Sequence, residues 1–112
     1  MIMESLNFQF ADEQPWVDID LGVQRQIMAY NDSLMLVKVR FEPGAKGAPH
    51  AHPHTQATYV ESGKFEFTTD GQTRIIKAGD GVYIKPNALH DCKCIDAGVL
   101  IDTFSPMRED FL

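Results

Sequence analysis

The chain has 112 residues, which gives room for one domain with one hydrophobic core. Hydrophobic residues make up 44% and charged residues 23%, a globular composition that excludes a largely disordered chain. The longest apolar runs fall far short of the roughly 20 residues of a membrane span, and a formal net charge of −6 would repel nucleic acid. We therefore expect neither a membrane nor nucleic acid as a partner.

The first 30 residues are the least informative part of the sequence. Trp16, Val17 and Ile19 suggest an edge strand, so we predict that residues 1–30 form an N-terminal strand or arm. This arm would pack on the body of residues 31–112 or on a second subunit. The N-terminus has neither a basic region nor the long apolar stretch of a secretory signal, so the expected compartment is the cytoplasm.

Turn signals recur every 8 to 15 residues in the rest of the chain, and short segments rich in β-branched and aromatic residues lie between them. This rhythm is typical of an all-β sandwich or barrel. The predicted turns are Glu42-Pro43-Gly44, Glu61-Ser62-Gly63, Asp70-Gly71, Ala78-Gly79-Asp80-Gly81, Lys85-Pro86-Asn87 and Asp96-Ala97-Gly98.

Two segments show the alternation of a half-buried strand. In residues 34–41 every odd position is apolar, whereas Lys38 and Arg40 occupy the other face. In residues 64–67 two phenylalanines flank Glu66, and Asp70-Gly71 then predicts a type I′ hairpin to residues 72–77.

Three of the four histidines lie within five residues, and the fourth, His90, follows about 40 residues later. His50 and His52 would project from the same face of an extended strand and could reach one metal ion. Pairs of this spacing also arise by chance, so the pair alone is weak evidence. His54 has the same parity, but Pro53 should turn it away, which favours a loop residue or a residue behind the ligands.

The two cysteines, Cys92 and Cys94, are two residues apart. On one strand they would point the same way, with a separation that fits disulfide geometry poorly. We expect two buried free thiols, and the alternative is extra metal ligands or a redox pair.

Asp102 interrupts the apolar segment 98–104. If it is buried, its carboxylate is either paired or serves in proton transfer with a shifted pKa, and otherwise this face of the strand is wet. Arg108 follows six residues later and could clamp a substrate carboxylate, pair with Asp102, or remain solvated near Glu109 and Asp110.

These residues resemble the two sequence motifs of the cupin family. The first motif, G(X)5HXH(X)3-4E(X)6G, is matched from Gly44 to Gly63, and the second by the segment that ends at His90. The resemblance implies an all-β, single-domain cupin, a double-stranded β-helix or jelly-roll barrel. It also implies metal ligands at His50, His52, Gln56 and His90.

Two positions depart from the cupin pattern. Asn87 replaces a glycine of the second motif, which is tolerable because asparagine accepts the left-handed conformation that such a turn needs. Gln56 replaces the usual glutamate. A neutral amide beside three imidazoles would leave the full charge on a divalent ion, which favours an anionic ligand.

Residues 31–112 are most similar to the KdgF family of pectin-degradation cupins, notably in the segments 50–56, 64–67, 77–80 and 102–112. That family opens the ring of 4,5-unsaturated uronate monosaccharides. The resemblance implies one divalent ion, whether Zn, Ni, Fe, Mn or Co, a small anionic sugar as substrate, and a homodimer. Its catalytic residues fall on Asp102, Phe104 and Arg108, for proton transfer, ring packing and carboxylate binding respectively.

Cupins host many chemistries, so other functions stay open. A metal-dependent dioxygenase would need a redox-active ion and would consume oxygen. A non-catalytic metal-binding or sugar-binding module and a different sugar isomerase are the remaining alternatives.

Overall fold

The alternating segments of the sequence form eight strands in a computed structural model, which describes residues 3–112. All strand pairs are antiparallel, and the one helical element of the described residues is a 3₁₀ turn at Glu109–Phe111. The all-β, single-domain prediction is confirmed. The strands are β1 (Val17–Asp20), β2 (Val23–Asn31), β3 (Leu34–Phe41), β4 (Lys46–His50), β5 (Thr55–Thr69), β6 (Gln72–Lys77), β7 (Gly81–Ile84) and β8 (His90–Ser105).

Two long strands, β5 and β8, pair along their whole length and belong to both layers of the barrel. The second half of β8 pairs with β3 and the first half of β5 with β7, which extends the layer that begins with β1 and β2. The first half of β8 pairs with β4 and the second half of β5 with β6. Folding both strands in the middle therefore closes one sheet into a jelly-roll barrel.

Both long strands bend where the sequence predicts turns, at Glu61-Ser62-Gly63 in β5 and at Asp96-Ala97-Gly98 in β8. These two turn predictions are wrong, because the chain continues as a strand through both segments. The register of β5 against β8 shifts between Val60 and Phe65, which marks β-bulges rather than chain reversals. Gly63 has φ of +85°, and a Cβ added at Gly98 would collide with the backbone of Ser62 and Gly63. These glycines signal a close crossing of two bent strands, a pattern that resembles a turn in sequence.

The remaining predicted turns are present. Asp70 and Gly71 both have positive φ, 52° and 74°, as the type I′ hairpin between β5 and β6 requires. Asn87 has φ of 65°, so asparagine takes the left-handed position that the second cupin motif gives to glycine.

The alternation predicted for residues 34–41 is confirmed, since Met35, Val37, Val39 and Phe41 are all buried in the barrel. Phe41 packs edge to face on the fully buried Phe65, with ring centroids 5.2 Å apart. The core thus joins β3 to β5 across the barrel and fixes the strands that carry the site.

The N-terminal segment lies along the barrel. Gln26 of β2 is fully buried beneath it and donates from its amide to the carbonyl oxygens of Ala11 and Gln14, at 2.8 and 3.0 Å. The Ser5 amide also donates to the carbonyl of Tyr30. Within the predicted arm of residues 1–30, β1 and β2 are strands of the sheet itself.

A membrane helix is not found in the described part of the chain, where no helix is long and apolar enough to cross a bilayer. The cytoplasmic location stays a prediction.

Candidate active site

The four predicted metal ligands come from three strands and one connecting segment of the barrel. His50 ends β4 and His90 begins β8, where the two residues are register partners. His52 lies between β4 and β5, and Gln56 is the second residue of β5. All are buried except His50, which is exposed. The extended strand predicted from the HXH spacing ends at His50, and His52 lies in the connection to β5, just before a bend at residues 53 and 54.

The three imidazoles lie close enough to share one ion. One nitrogen of each ring lies within 4.8 Å of the others, and the centroids of the His50 and His90 rings are 4.1 Å apart. Metal–nitrogen bonds of about 2.0–2.1 Å place neighbouring ligands roughly 3–3.5 Å apart, so small ring movements complete the site. The predicted histidine cluster is present as a possible metal site.

Hydrogen bonds already orient two of these rings for a metal. The Nδ1 atoms of His50 and His90 lie 2.8 and 2.9 Å from the carbonyl oxygens of Ala48 and Ala88, which makes Nδ1 the protonated nitrogen. Each Nε2 then keeps a free lone pair. In His90 this Nε2 is buried without a hydrogen-bond partner among the described residues, as expected of a ligand atom.

Two of the three clustered histidines, His52 and His90, stay neutral at neutral pH. Burial, with a smaller effect of nearby Arg108, lowers the pKa of His52 to about 4, and burial also lowers the pKa of His90. Neutral imidazole is the form that binds a metal, so neither residue needs to lose a proton at neutral pH. The donor set, three imidazoles and an amide oxygen, fits a divalent first-row transition ion.

A chain of hydrogen bonds connects Gln56 to Asp102. The Gln56 Oε1 atom lies 2.9 Å from Nε2 of His52, and its amide nitrogen donates to Thr58 Oγ1 at 3.0 Å. Thr58 donates its one proton to Asp102 Oδ1 at 2.7 Å. Because that hydroxyl must accept from Gln56, the amide oxygen of Gln56 faces the histidines, as a ligand would.

Asp102 lies on β8 and is partly buried within the barrel. Burial raises the pKa of its carboxyl to about 6, although the hydrogen bonds from Thr58 and Gln56 act in the opposite direction. Of the alternatives for Asp102, the structure supports a partly buried carboxylate with a raised pKa and a hydrogen-bond partner over a wet strand face. It is ionised at neutral pH, yet its conjugate acid is strong enough to return a proton.

A cavity of about 200 Å³ connects these groups. Its wall includes His50, Gln56, His90 and Asp102, together with residues of β2, β3 and the C-terminal segment. Phe104 lies at the same wall, with its ring centroid 5.8 Å from that of His52. Three of the four predicted ligands therefore face one space with Asp102 and Phe104, and His52 lies behind its wall against Phe104.

Arg108 also lines this cavity, but it does not pair with Asp102, so that alternative of the sequence analysis is wrong. Its Nε and Nη2 atoms donate to the carboxylate of Asp110 at 3.0 and 2.8 Å. The short segment after β8 brings the two side chains together, whereas Asp102 is held by Thr58. The guanidinium also lies over the rings of Phe104 and Phe111, 5.2 and 4.4 Å from their centroids.

Three further candidate residues of the sequence, His54, Cys92 and Cys94, are not part of the three-histidine cluster. His54 stacks edge to face on His52, with ring centroids 5.3 Å apart, and is not among the three grouped histidines. Cys92 and Cys94 are buried free thiols, as expected. Burial raises the pKa of Cys92 to about 12, so neither a thiolate ligand nor a redox role is favoured there.

Two residues of the site were missed in the sequence. Thr58 shares the inward parity of Gln56 on β5, but threonine is so common on strands that its bridging role leaves no sequence signal. Arg25 lies between Val23 and Ile27 on β2, and its half-buried side chain faces the cavity. A charge at an inward position is the signal that identified Asp102, and it could have identified Arg25 if β2 had been recognised.

Comparisons with known proteins agree with this geometry. A family model described as "Cupin domain" matches residues 37–104. The pectin degradation protein KdgF of Dickeya dadantii (strain 3937) is 46% identical over 103 residues, which cover 90% of this chain and 94% of that protein.

Two solved structures are also similar. An RmlC-like cupin from Shewanella frigidimarina is 42% identical with a TM-score of 0.95, over 97% of this chain and 98% of its own. KdgF from Halomonas sp. is 36% identical with a TM-score of 0.91, over 96% of this chain and 100% of its own.

Proposed function

We propose that this chain, which belongs to the cupin family and within it to the KdgF proteins, is a metal-dependent isomerase that opens the ring of 4,5-unsaturated uronate monosaccharides. One observation carries the proposal. The ionisable Asp102 carboxylate faces the same cavity as His50 and His90, and Thr58 and Gln56 link it to His52 by hydrogen bonds.

The structure of the substrate determines which chemical steps these residues must catalyse. The sugar is a cyclic hemiacetal whose ring oxygen is also part of an enol ether. Opening removes the anomeric hydroxyl proton, breaks the bond from C1 to the ring oxygen, and adds a proton at C4. The reaction is an isomerisation, so it needs neither an oxidant nor a second substrate.

Asp102 is the group that moves the proton. As a carboxylate at neutral pH it accepts the anomeric hydroxyl proton, and the acid it becomes can deliver a proton to C4. The Thr58 hydroxyl at 2.7 Å fixes the orientation of the carboxylate and stabilises its charged form. Thr58 thereby holds Asp102 at the geometry that proton transfer needs.

The remaining residues of the site would hold the metal ion or bind the sugar. A divalent ion held by His50, His52, Gln56 and His90 would supply Lewis-acid stabilisation for the departing ring oxygen. Phe104 presents an apolar ring against which the sugar ring packs, and Arg108 adds positive charge for an anionic ligand. A cavity of about 200 Å³ favours a monosaccharide over a longer chain.

The test is to incubate purified protein with unsaturated galacturonate and identify the product by NMR spectroscopy. We expect the vinyl signal at C4 to disappear and a linear keto sugar to accumulate. In deuterium oxide the product should carry deuterium at C4. A product that keeps the 4,5 double bond would contradict the proposal.

Oxygen uptake distinguishes ring opening from the main alternative function, a cupin dioxygenase. A cupin dioxygenase would consume oxygen with the substrate, whereas ring opening consumes none. We expect an oxygen electrode to show no uptake while the sugar is converted, and stoichiometric uptake would favour the dioxygenase. A binding module would leave the sugar unchanged.

We also propose that two copies of the chain pair through the N-terminal segment and β1. Among the described strands β1 has β2 as its one neighbour, so its other edge is free. The N-terminal segment and the turn after β1 carry exposed apolar side chains, and Leu6, Phe8 and Leu21 are 81%, 77% and 91% exposed. Light scattering should give a dimer that Leu6→Ser with Phe8→Ser converts to a monomer. A monomeric wild type would contradict pairing.

A further inference from the structure

Two guanidinium groups, not one, face the cavity. Arg25 of β2 and Arg108 both lie over the ring of Phe111, with Cζ atoms 3.7 and 4.4 Å from its centroid. Both residues are half-buried. His50 and His90 of the cluster line the same space as Asp102, so a ligand that reaches them lies within the field of both cations.

The two guanidiniums differ in what they bind. Asp110 occupies Nε and Nη2 of Arg108, which is one of the bidentate faces that a guanidinium offers to a carboxylate. Arg25 makes no side-chain hydrogen bond or salt bridge to any of residues 3–112, although aromatic stacking holds it in place. The planar donor fork of Arg25 is therefore free.

A half-buried cation without a counter-ion costs free energy unless an anion reaches it. Burial and the positive charge of Arg108 lower the pKa of Arg25, and the nearby Asp110 carboxylate offsets this only in part. Arginine remains protonated at neutral pH in any case. An anion that enters the cavity would supply the missing partner.

We propose that Arg25 binds the carboxylate of the uronate substrate through a bidentate contact, and that Arg108 with Asp110 and Phe111 positions it. This inference rests on the proposed function for the identity of the sugar. It assigns the selectivity for uronates over neutral sugars to Arg25, on a strand outside the two histidine motifs.

The test compares Arg25→Gln with Arg74→Gln, which removes the same charge from an exposed position on β6. Calorimetry measures binding of galacturonate and of galactose, which differ in the C6 carboxylate, so turnover is not required. Kinetics with unsaturated galacturonate gives KM and kcat. Thermal melting checks the fold of each variant.

We expect Arg25→Gln to weaken galacturonate binding and to raise KM by roughly tenfold to a hundredfold, the effect of losing a charged hydrogen-bonded pair. The value of kcat should change less than about threefold, because Arg25 touches no reacting atom. Arg25→Lys keeps the charge but not the planar fork, so its affinity for galacturonate should lie between those of Arg25→Gln and the wild type. Arg74→Gln should match the wild type, and the melting temperature of Arg25→Gln should not fall.

Three outcomes would overturn the inference. In the first, Arg25→Gln binds galacturonate as tightly as Arg74→Gln does. In the second, the wild type binds galactose as tightly as galacturonate. In the third, Arg25→Gln binds galacturonate more weakly but its melting temperature also falls. If ring opening proceeds unchanged in Arg25→Gln, the proposed function stands and the Arg25 role fails. If Arg25 governs uronate binding but no ring opens, the proposed function fails and the role of Arg25 stands.

Discussion

Replacement of Asp102 with asparagine is expected to abolish ring opening by the metal-loaded protein. In the metal-free protein at pH 8, the same replacement is expected to increase the free energy of unfolding. The folded-state pKa of Asp102 is about 6, above its ordinary value of 3.8, and burial is the main cause. A carboxyl group whose pKa is raised by folding opposes the folded state once it ionises. This cost is absent below pH 3.8 and complete above pH 6.

The magnitude follows from that change in pKa. A rise from 3.8 to about 6 corresponds to roughly 3 kcal/mol, which we reduce to about 1–2 kcal/mol because the carboxylate is partly open to the cavity. Asparagine keeps an oxygen that can accept the Thr58 hydroxyl proton, so the 2.7 Å hydrogen bond has a substitute. The net gain therefore comes from the lost charge.

Urea unfolding with chelator present measures the effect, at pH 4 and at pH 8. The free energy of unfolding of Asp102→Asn should exceed that of the wild type by about 1–2 kcal/mol at pH 8 and by much less at pH 4. Asp12→Asn, the same substitution at an exposed position, serves as the matched control. A gain that is equal at both pH values, or a loss at pH 8, would refute the desolvation of Asp102.

Three further predictions concern the metal, the thiols and the strand crossing. His90→Ala should lower bound metal, measured by elemental analysis, at least tenfold, and wild-type metal content would remove His90 from the ligand set. Cys92 and Cys94 should react with Ellman's reagent only after denaturation, because both are buried and burial raises their pKa values, and fast labelling of the native protein would contradict this. Gly98→Ala should destabilise the protein by about 3 kcal/mol or more in thermal unfolding, since its Cβ would collide with the Ser62 carbonyl, and an unchanged melting temperature would refute the close crossing.

The elements that the sequence predicts well are those with a local physical cause. The alternation of residues 34–41 reflects one buried face of β3, and Asp70-Gly71 reverses the chain because both residues accept positive φ. The HXH spacing brings His50 and His52 together because they are two residues apart, whereas His90 joins them through the pairing of β4 with β8. These features depend on few residues that are close in sequence.

The features that the sequence misses depend on distant parts of the chain. Gly63 and Gly98 read as turns because glycine marks both reversals and close backbone crossings, and the difference lies in the partner strand 35 residues away. The same holds for Arg25, whose inward position is visible only once β2 is paired with β3. The pairing of Arg108 with Asp110 instead of Asp102 depends on the course of the chain after β8.

The most direct test of the metal-dependent ring opening is the rate at which the 4,5 double bond of unsaturated galacturonate loses its ultraviolet absorbance. Wild-type protein should accelerate this loss well above the uncatalysed rate, a chelator should return it to that rate, and a stoichiometric divalent transition metal should restore it. His90→Ala should stay at the uncatalysed rate after the same metal addition. An unchanged rate in metal-stripped protein, or no acceleration by the metal-loaded wild type, would contradict the account.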